Sequence, residues 1–129
     1  MNTFLLLAAT VFLPLSISHH ATIQLDAVVA ALSIGDAKAV GTYFDNTVEL
    51  VLPGVDDILP KAQAEKKLAL FFKENPANSF TRVHGGTSTG EDGAYVIGTL
   101  STTNGSFRVY IYGRGAETPS VQELRIEPN

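Results

Sequence analysis

Hydrophobic residues recur with a helical period in the first half of this chain and with a period of two in the second. Leu25, Val28, Val29 and Leu32 stand at i, i+3, i+4 and i+7, one face of a helix. Gly35 suits the left-handed conformation that ends a helix, and Asp36 is a good N-cap for the next. The spacing predicts a second helix over 37–44, with Val40 and Phe44 inward and Tyr43 at its tip. Val48, Leu50 and Leu52 alternate with Glu49 and Val51, a strand over 47–52 that Pro53-Gly54 stops. Pro60 opens a third helix over 61–74, where its missing N–H costs nothing. The buried stripe of that helix is Ala64, Leu68, Phe71 and Phe72, and Asn75-Pro76 ends it.

From Ser79 the pattern predicts four strands in a meander, at 79–88, 94–103, 106–112 and 120–127. Asn104-Gly105 is the strongest hairpin signal, because both residues accept positive φ. A two-residue turn there sets Thr103 opposite Ser106, Leu100 opposite Val109 and Gly98 opposite Ile111. One face then carries Val96, Gly98, Leu100, Phe107, Val109 and Ile111, joined by Gln122, Leu124 and Ile126. The other carries Tyr95, Ile97, Thr99, Ser101, Arg108, Tyr110 and Tyr112, joined by Glu123, Arg125 and Glu127. The aliphatic face belongs against the helices, so the fold class is α+β, helices first and an antiparallel sheet last.

Composition narrows the options. The 129 residues fit one domain, and 45% apolar content supplies a hydrophobic core. A net charge of −4 without clustered Lys or Arg argues against a nucleic-acid partner. With no cysteine, disulfides, thiolate nucleophiles and Cys-ligated zinc are excluded. Phe4 to Leu15 form an apolar run of about a dozen residues, the length of a signal-peptide core and short of a membrane span. Ser16-Ile17-Ser18 puts small residues at the −3 and −1 positions of a cleavage site, although Met1 to Thr3 carries no Lys or Arg. Residues 1–18 are expected to be a signal peptide and 19–129 a single domain, exported to the periplasm or secreted, with no membrane span after cleavage.

The stretch Ala31 to Val40 with its Gly-Asp pair, then Tyr43-Phe44 and Val48-Glu49-Leu50, resembles the opening of the nuclear-transport-factor-2-like superfamily, a cystatin-like α+β cone. Leu52-Pro53-Gly54, Lys61 to Glu65, Gly98-Thr99-Leu100, Asn104 to Tyr110 and Gln122 to Glu127 look closest to a bacterial exported family, domain of unknown function 4783. The short Gly-rich stretch from Gly113 to Pro119 departs from the longer basic hairpin expected there. The resemblance implies two or three N-terminal helices packed on a curved antiparallel sheet. It implies no activity for the closer family. The superfamily includes ketosteroid isomerases and polyketide cyclases, and the outer sheet face is a common dimer surface in it.

An enzyme of that kind needs a general base and an oxyanion donor inside the cone. The inward face as registered carries no Asp, Glu or His; its polar group is Gln122. Tyr43 offers a phenol, which is half of such a site, and a buried tyrosine with a satisfied hydroxyl is the better account of it. No catalytic residue, metal ligand or cofactor is therefore assigned. A small apolar ligand in the cone would meet Tyr43, Phe44, Phe72, Ile111 and Gln122. His84, opposite Thr99 if Gly90 to Gly93 form a four-residue turn, faces outward without a catalytic partner, and His19-His20 lacks a third metal ligand. The outward face gathers Tyr95, Ile97, Tyr110 and Tyr112 beside Arg108, Glu123 and Arg125. Apolar patches rimmed by charge often mark protein contacts, and cross-strand pairing on a solvated sheet accounts for these residues equally well. The expectation is a non-catalytic exported domain binding a protein partner or a second copy through this face, or a small apolar ligand in the cone. The alternative is a small-molecule isomerase or dehydratase.

Overall fold

The computed structural model describes residues 11–14, 22–88, 92–115 and 119–129. Most of the expected leader, with His19 and His20, lies outside them; Val11 to Pro14 are exposed and irregular. The elements in order are α1 (Thr22–Ser33), α2 (Ala37–Thr42), β1 (Phe44–Leu52), β2 (Val55–Pro60), α3 (Lys61–Glu74), β3 (Ala77–Ser88), β4 (Gly93–Thr102), β5 (Gly105–Arg114) and β6 (Ser120–Pro128). The six strands make one sheet in the order β2-β1-β6-β5-β4-β3. Neighbours are antiparallel except β1 and β6, which run parallel. The helices cover one side of this curved sheet, and the fold is α+β as expected.

The helix signals act as their chemistry requires. Leu25, Val28 and Leu32 of α1 are buried. Gly35 takes φ +69° and its N–H reaches the carbonyl of Leu32 at 3.1 Å. The Asp36 carboxylate accepts the N–H of Ala39 at 3.0 Å, capping α2. That helix ends at Thr42, earlier than the pattern predicts. The carbonyl of Tyr43 instead accepts the N–H of Val121 at 2.6 Å, and Phe44 opens β1 opposite Val121. Pairing with the last strand thus removes the final turn of the helix.

Three other features depart from the sequence reading. Strand β2 was not expected, since Val55-Asp56-Asp57-Ile58 carries a weak alternation; it pairs with β1 across the Pro53-Gly54 turn, where Gly54 takes φ +81°. As an edge it is blunted: the Asp57 carboxylate accepts the N–H of Ile58 at 2.8 Å, and Pro60 has no N–H. The β4–β5 register is shifted by two residues, with Leu100 opposite Phe107, Gly98 opposite Val109 and Val96 opposite Ile111. The expected turn needed positive φ at Asn104, but only Gly105 takes it, at +110°. The Thr102 hydroxyl closes this turn instead, donating to the Gly105 carbonyl at 2.8 Å and accepting the Asn104 N–H at 3.1 Å. Because the shift is even, every side chain keeps its face. Finally, β3 bulges between Arg82 and His84, leaving Val83 exposed and setting His84 opposite Ile97 rather than Thr99.

The core lies between the helices and the inner face. Val48, Leu50, Val96, Leu100, Val109, Ile111, Leu124 and Ile126 are each at most 1% exposed and meet Leu25, Val28, Val40 and Leu68 from the helices. Gly98 leaves room for a ring: a Cβ there would lie 2.4 Å from Phe80. Among the described residues the buried polar side chain is Thr102, the one that closes the hairpin.

Candidate interaction face

The outer face is built from rungs that cross strands. Tyr95 stands opposite Tyr112, which stands opposite Glu123, which in turn neighbours Glu49. The next rung is Ile97, Tyr110, Arg125 and Val51; the one after is Thr99, Arg108 and Glu127. The two-residue shift in register matters here. It sets Tyr95 and Ile97 against Tyr112 and Tyr110, so the four side chains form a two-by-two block of half-buried residues. Arg108, Glu123 and Arg125 flank that block on the same side.

Arg125 organises the acidic border. Its guanidinium lies 3.1 Å from Glu123, 3.7 Å from Glu127 and 3.8 Å from Glu49. A hydrogen bond to Glu123 and the charges around it hold Arg125 above the ordinary arginine value. Burial first, and the Glu123 carboxylate second, push the Tyr110 phenol above its ordinary value. Val51, although on this side, is buried between Arg125 and Asp56. At the other border the Tyr95 hydroxyl bonds Nε2 of His84 at 2.7 Å, and its ring lies against the bare backbone of Gly86. A recess of about 190 Å³ opens among Ile97, Arg108, Tyr110, Arg125 and Glu127.

The residues expected to line a cone pocket are placed differently from one another. Phe44, Phe72 and Ile111 belong to the packed core, at most 6% exposed, and Tyr43 is half-buried against it. Gln122 must be corrected. A bulge between Tyr112 and Gly113 puts Val121 in the inward position that Gln122 was expected to hold. Gln122 instead lines an outer recess with Asp45, Thr47, Glu49 and Ile58. The sequence pattern missed this recess because Ile58 comes from β2, and it missed the Glu49–Arg125 contact because a parallel β1–β6 pairing leaves no local signal. Among the described residues no three His, Cys, Asp or Glu side chains cluster to hold a metal, and no helix is long and apolar enough to cross a membrane.

The family model described as Domain of unknown function (DUF4783) matches residues 25–127. A DUF4783 family protein of known structure from Bacteroides fragilis is 30% identical, with 80% of this chain and 96% of that chain covered and a TM-score of 0.73. An uncharacterised cystatin-fold protein from Novosphingobium aromaticivorans is 14% identical, covers 84% of this chain and 97% of its own, and has a TM-score of 0.58. A nuclear-transport-factor-2-like family protein from Streptomyces avermitilis is 15% identical, covers 85% and 94%, and has a TM-score of 0.64. No curated protein matches the chain. With its helices on a curved sheet, the chain shares the fold of the cystatin-fold and nuclear-transport-factor-2-like proteins, and with a family match running from α1 through most of β6 it belongs to the DUF4783 family.

Proposed function

We propose that this chain is an exported, non-catalytic binding domain that engages protein across the outer face of its sheet. The observation that carries the reading is the block of Tyr95, Ile97, Tyr110 and Tyr112, one aromatic-rich surface bordered by arginine and glutamate. Aromatic side chains and arginine are the residues that protein interfaces enrich. The inner face supports the same choice: Phe44, Phe72, Phe107 and Ile111 sit in one packed cluster, and the buried side chains described there include no carboxylate or imidazole. Export rests on the apolar run from Phe4 to Leu15.

Photo-crosslinking tests the surface. A photoreactive residue at Ile97 is expected to give a protein adduct, whereas one at Gln63, on the exposed side of α3, gives none. Absence of an adduct from position 97 overturns the reading. N-terminal sequencing of the product from a bacterial host tests export; a mature start near His19 is expected, and an intact Met1 overturns it.

A further inference from the structure

We infer that the recess on the outer face takes an acidic side chain from a partner protein, a glutamate or aspartate set beside an apolar residue, with Arg108 receiving its carboxylate. This rests on the outer-face reading above and names the chemistry of its partner. The recess opens among Ile97, Arg108, Tyr110, Arg125 and Glu127, so two guanidiniums and one carboxylate line it. That carboxylate is already engaged. Glu127 lies 3.7 Å from Arg125, which also draws Glu123 at 3.1 Å and Glu49 at 3.8 Å. Arg108 stands across the strand pair from Glu127, yet it is exposed and makes no ion pair among the described residues. Its own side of the face offers no alternative, because β4 and β5 contain no Asp or Glu. The uncompensated charge of the recess is therefore the Arg108 guanidinium.

Size and lining say what kind of group fits. At about 190 Å³ the recess is smaller than the roughly 300–1,000 Å³ of pockets that enclose a small molecule, and it suits one side chain. Ile97 and the Tyr110 ring make an apolar wall for the methylenes of that side chain. Arg108 presents a planar guanidinium, whose fork pairs with both oxygens of a carboxylate. The Tyr110 phenol, held above its ordinary value by burial and Glu123, stays protonated as a second donor. A residue flanking the acid then lies over Tyr95 and Tyr112, half-buried rings that an apolar side chain covers. A basic residue is disfavoured at this point, because it sets like charge against Arg108.

Two capped tetrapeptides test this, titrated into the full chain after leader removal and followed by amide chemical shifts. One reads glycine-glutamate-phenylalanine-glycine, and the other has glutamine in place of glutamate. The glutamate peptide is expected to shift the amides of Ile97, Arg108 and Tyr110 saturably and to leave that of Gln63 in place. The glutamine peptide is expected to bind about fivefold more weakly. R108Q is expected to abolish that preference and R108K to keep part of it, since a point charge remains without the fork. Melting temperatures of each variant show whether it folds. Equal affinity for the two peptides, no shift with either, or a preference that survives in R108Q overturns the acidic partner. Shifts that follow dilution of the protein alone, with none from peptide, give the face to a second copy and overturn it likewise. In each of those cases an adduct from position 97 leaves the outer-face reading standing, whereas absence of that adduct overturns the reading itself.

Discussion

The two faces of this sheet are made by the same strands, alternating residue by residue, and they are held by different physics. Inner-face residues such as Val96, Leu100, Val109, Ile111, Leu124 and Ile126 are closed from water and packed on the helices. Outer-face residues keep partial contact with water and are matched in pairs, Tyr95 with Tyr112, Ile97 with Tyr110, Arg125 with three glutamates. The inner face is therefore fixed by shape and the outer by pairing. Changes that leave volume intact are absorbed inside, and changes that leave charge balance intact are absorbed outside. The half of the sheet that contributes least to stability is then the half free to specialise in recognition.

Substitutions test that division in descending order of effect. Leu124→Ala is expected to remove about 3 kcal/mol of stability by opening a cavity, against less than about 0.5 kcal/mol for Thr99→Ala on the outer side. Urea denaturation of both variants measures the gap, and equal losses would erase the distinction. Gly98→Ala is expected to cost about 2 kcal/mol, because the new Cβ meets the Phe80 ring and the Thr81 carbonyl. In a Phe80→Ala background the same change should cost clearly less, a coupling that a double-mutant cycle reads directly. Tyr110→Ala is expected to cost about 1 kcal/mol or less in stability, a cross-strand pair's worth, while abolishing the adduct from position 97. Loss of folding with Tyr110→Ala would mean the outer block is part of the core after all.

The smallest expected effect is one of pH. The Tyr110 phenol is held above its ordinary value of 10.0 by burial and Glu123. A value raised in the folded state gives stability that is complete below the unfolded value and is lost as pH climbs through the folded one. Phenolate absorbance should therefore show a late-ionising component that Tyr110→Phe removes. A late component that persists in Tyr110→Phe would contradict the burial of Tyr110.

Much of this was legible in the sequence. The parity of Val96 to Ile126 assigns side chains to faces because period two survives an even slip in register, and so the error at Asn104-Gly105 moved neighbours without moving faces. Bulges are the opposite case. The extra residue in β6 exchanged Gln122 for Val121, and no local pattern announces a bulge that a neighbouring strand imposes. The outer tyrosine block was recognisable residue by residue. The place of Glu49 beside Arg125 was not, since Glu49 lies far from Glu123 and Glu127 in the chain.

The parallel pairing of β1 with β6 has a consequence for how the chain must fold. The β1–β2 hairpin and the β3–β4–β5 meander each assemble from local turns, but they share no edge until β6 enters between them. The contacts that close the sheet span most of the sequence, the kind of non-local topology that slows folding. The sheet is complete only when the segment from Ser120 to Pro128 is in place, so a chain cut before Ser120 leaves two open strand edges where the native protein has its centre.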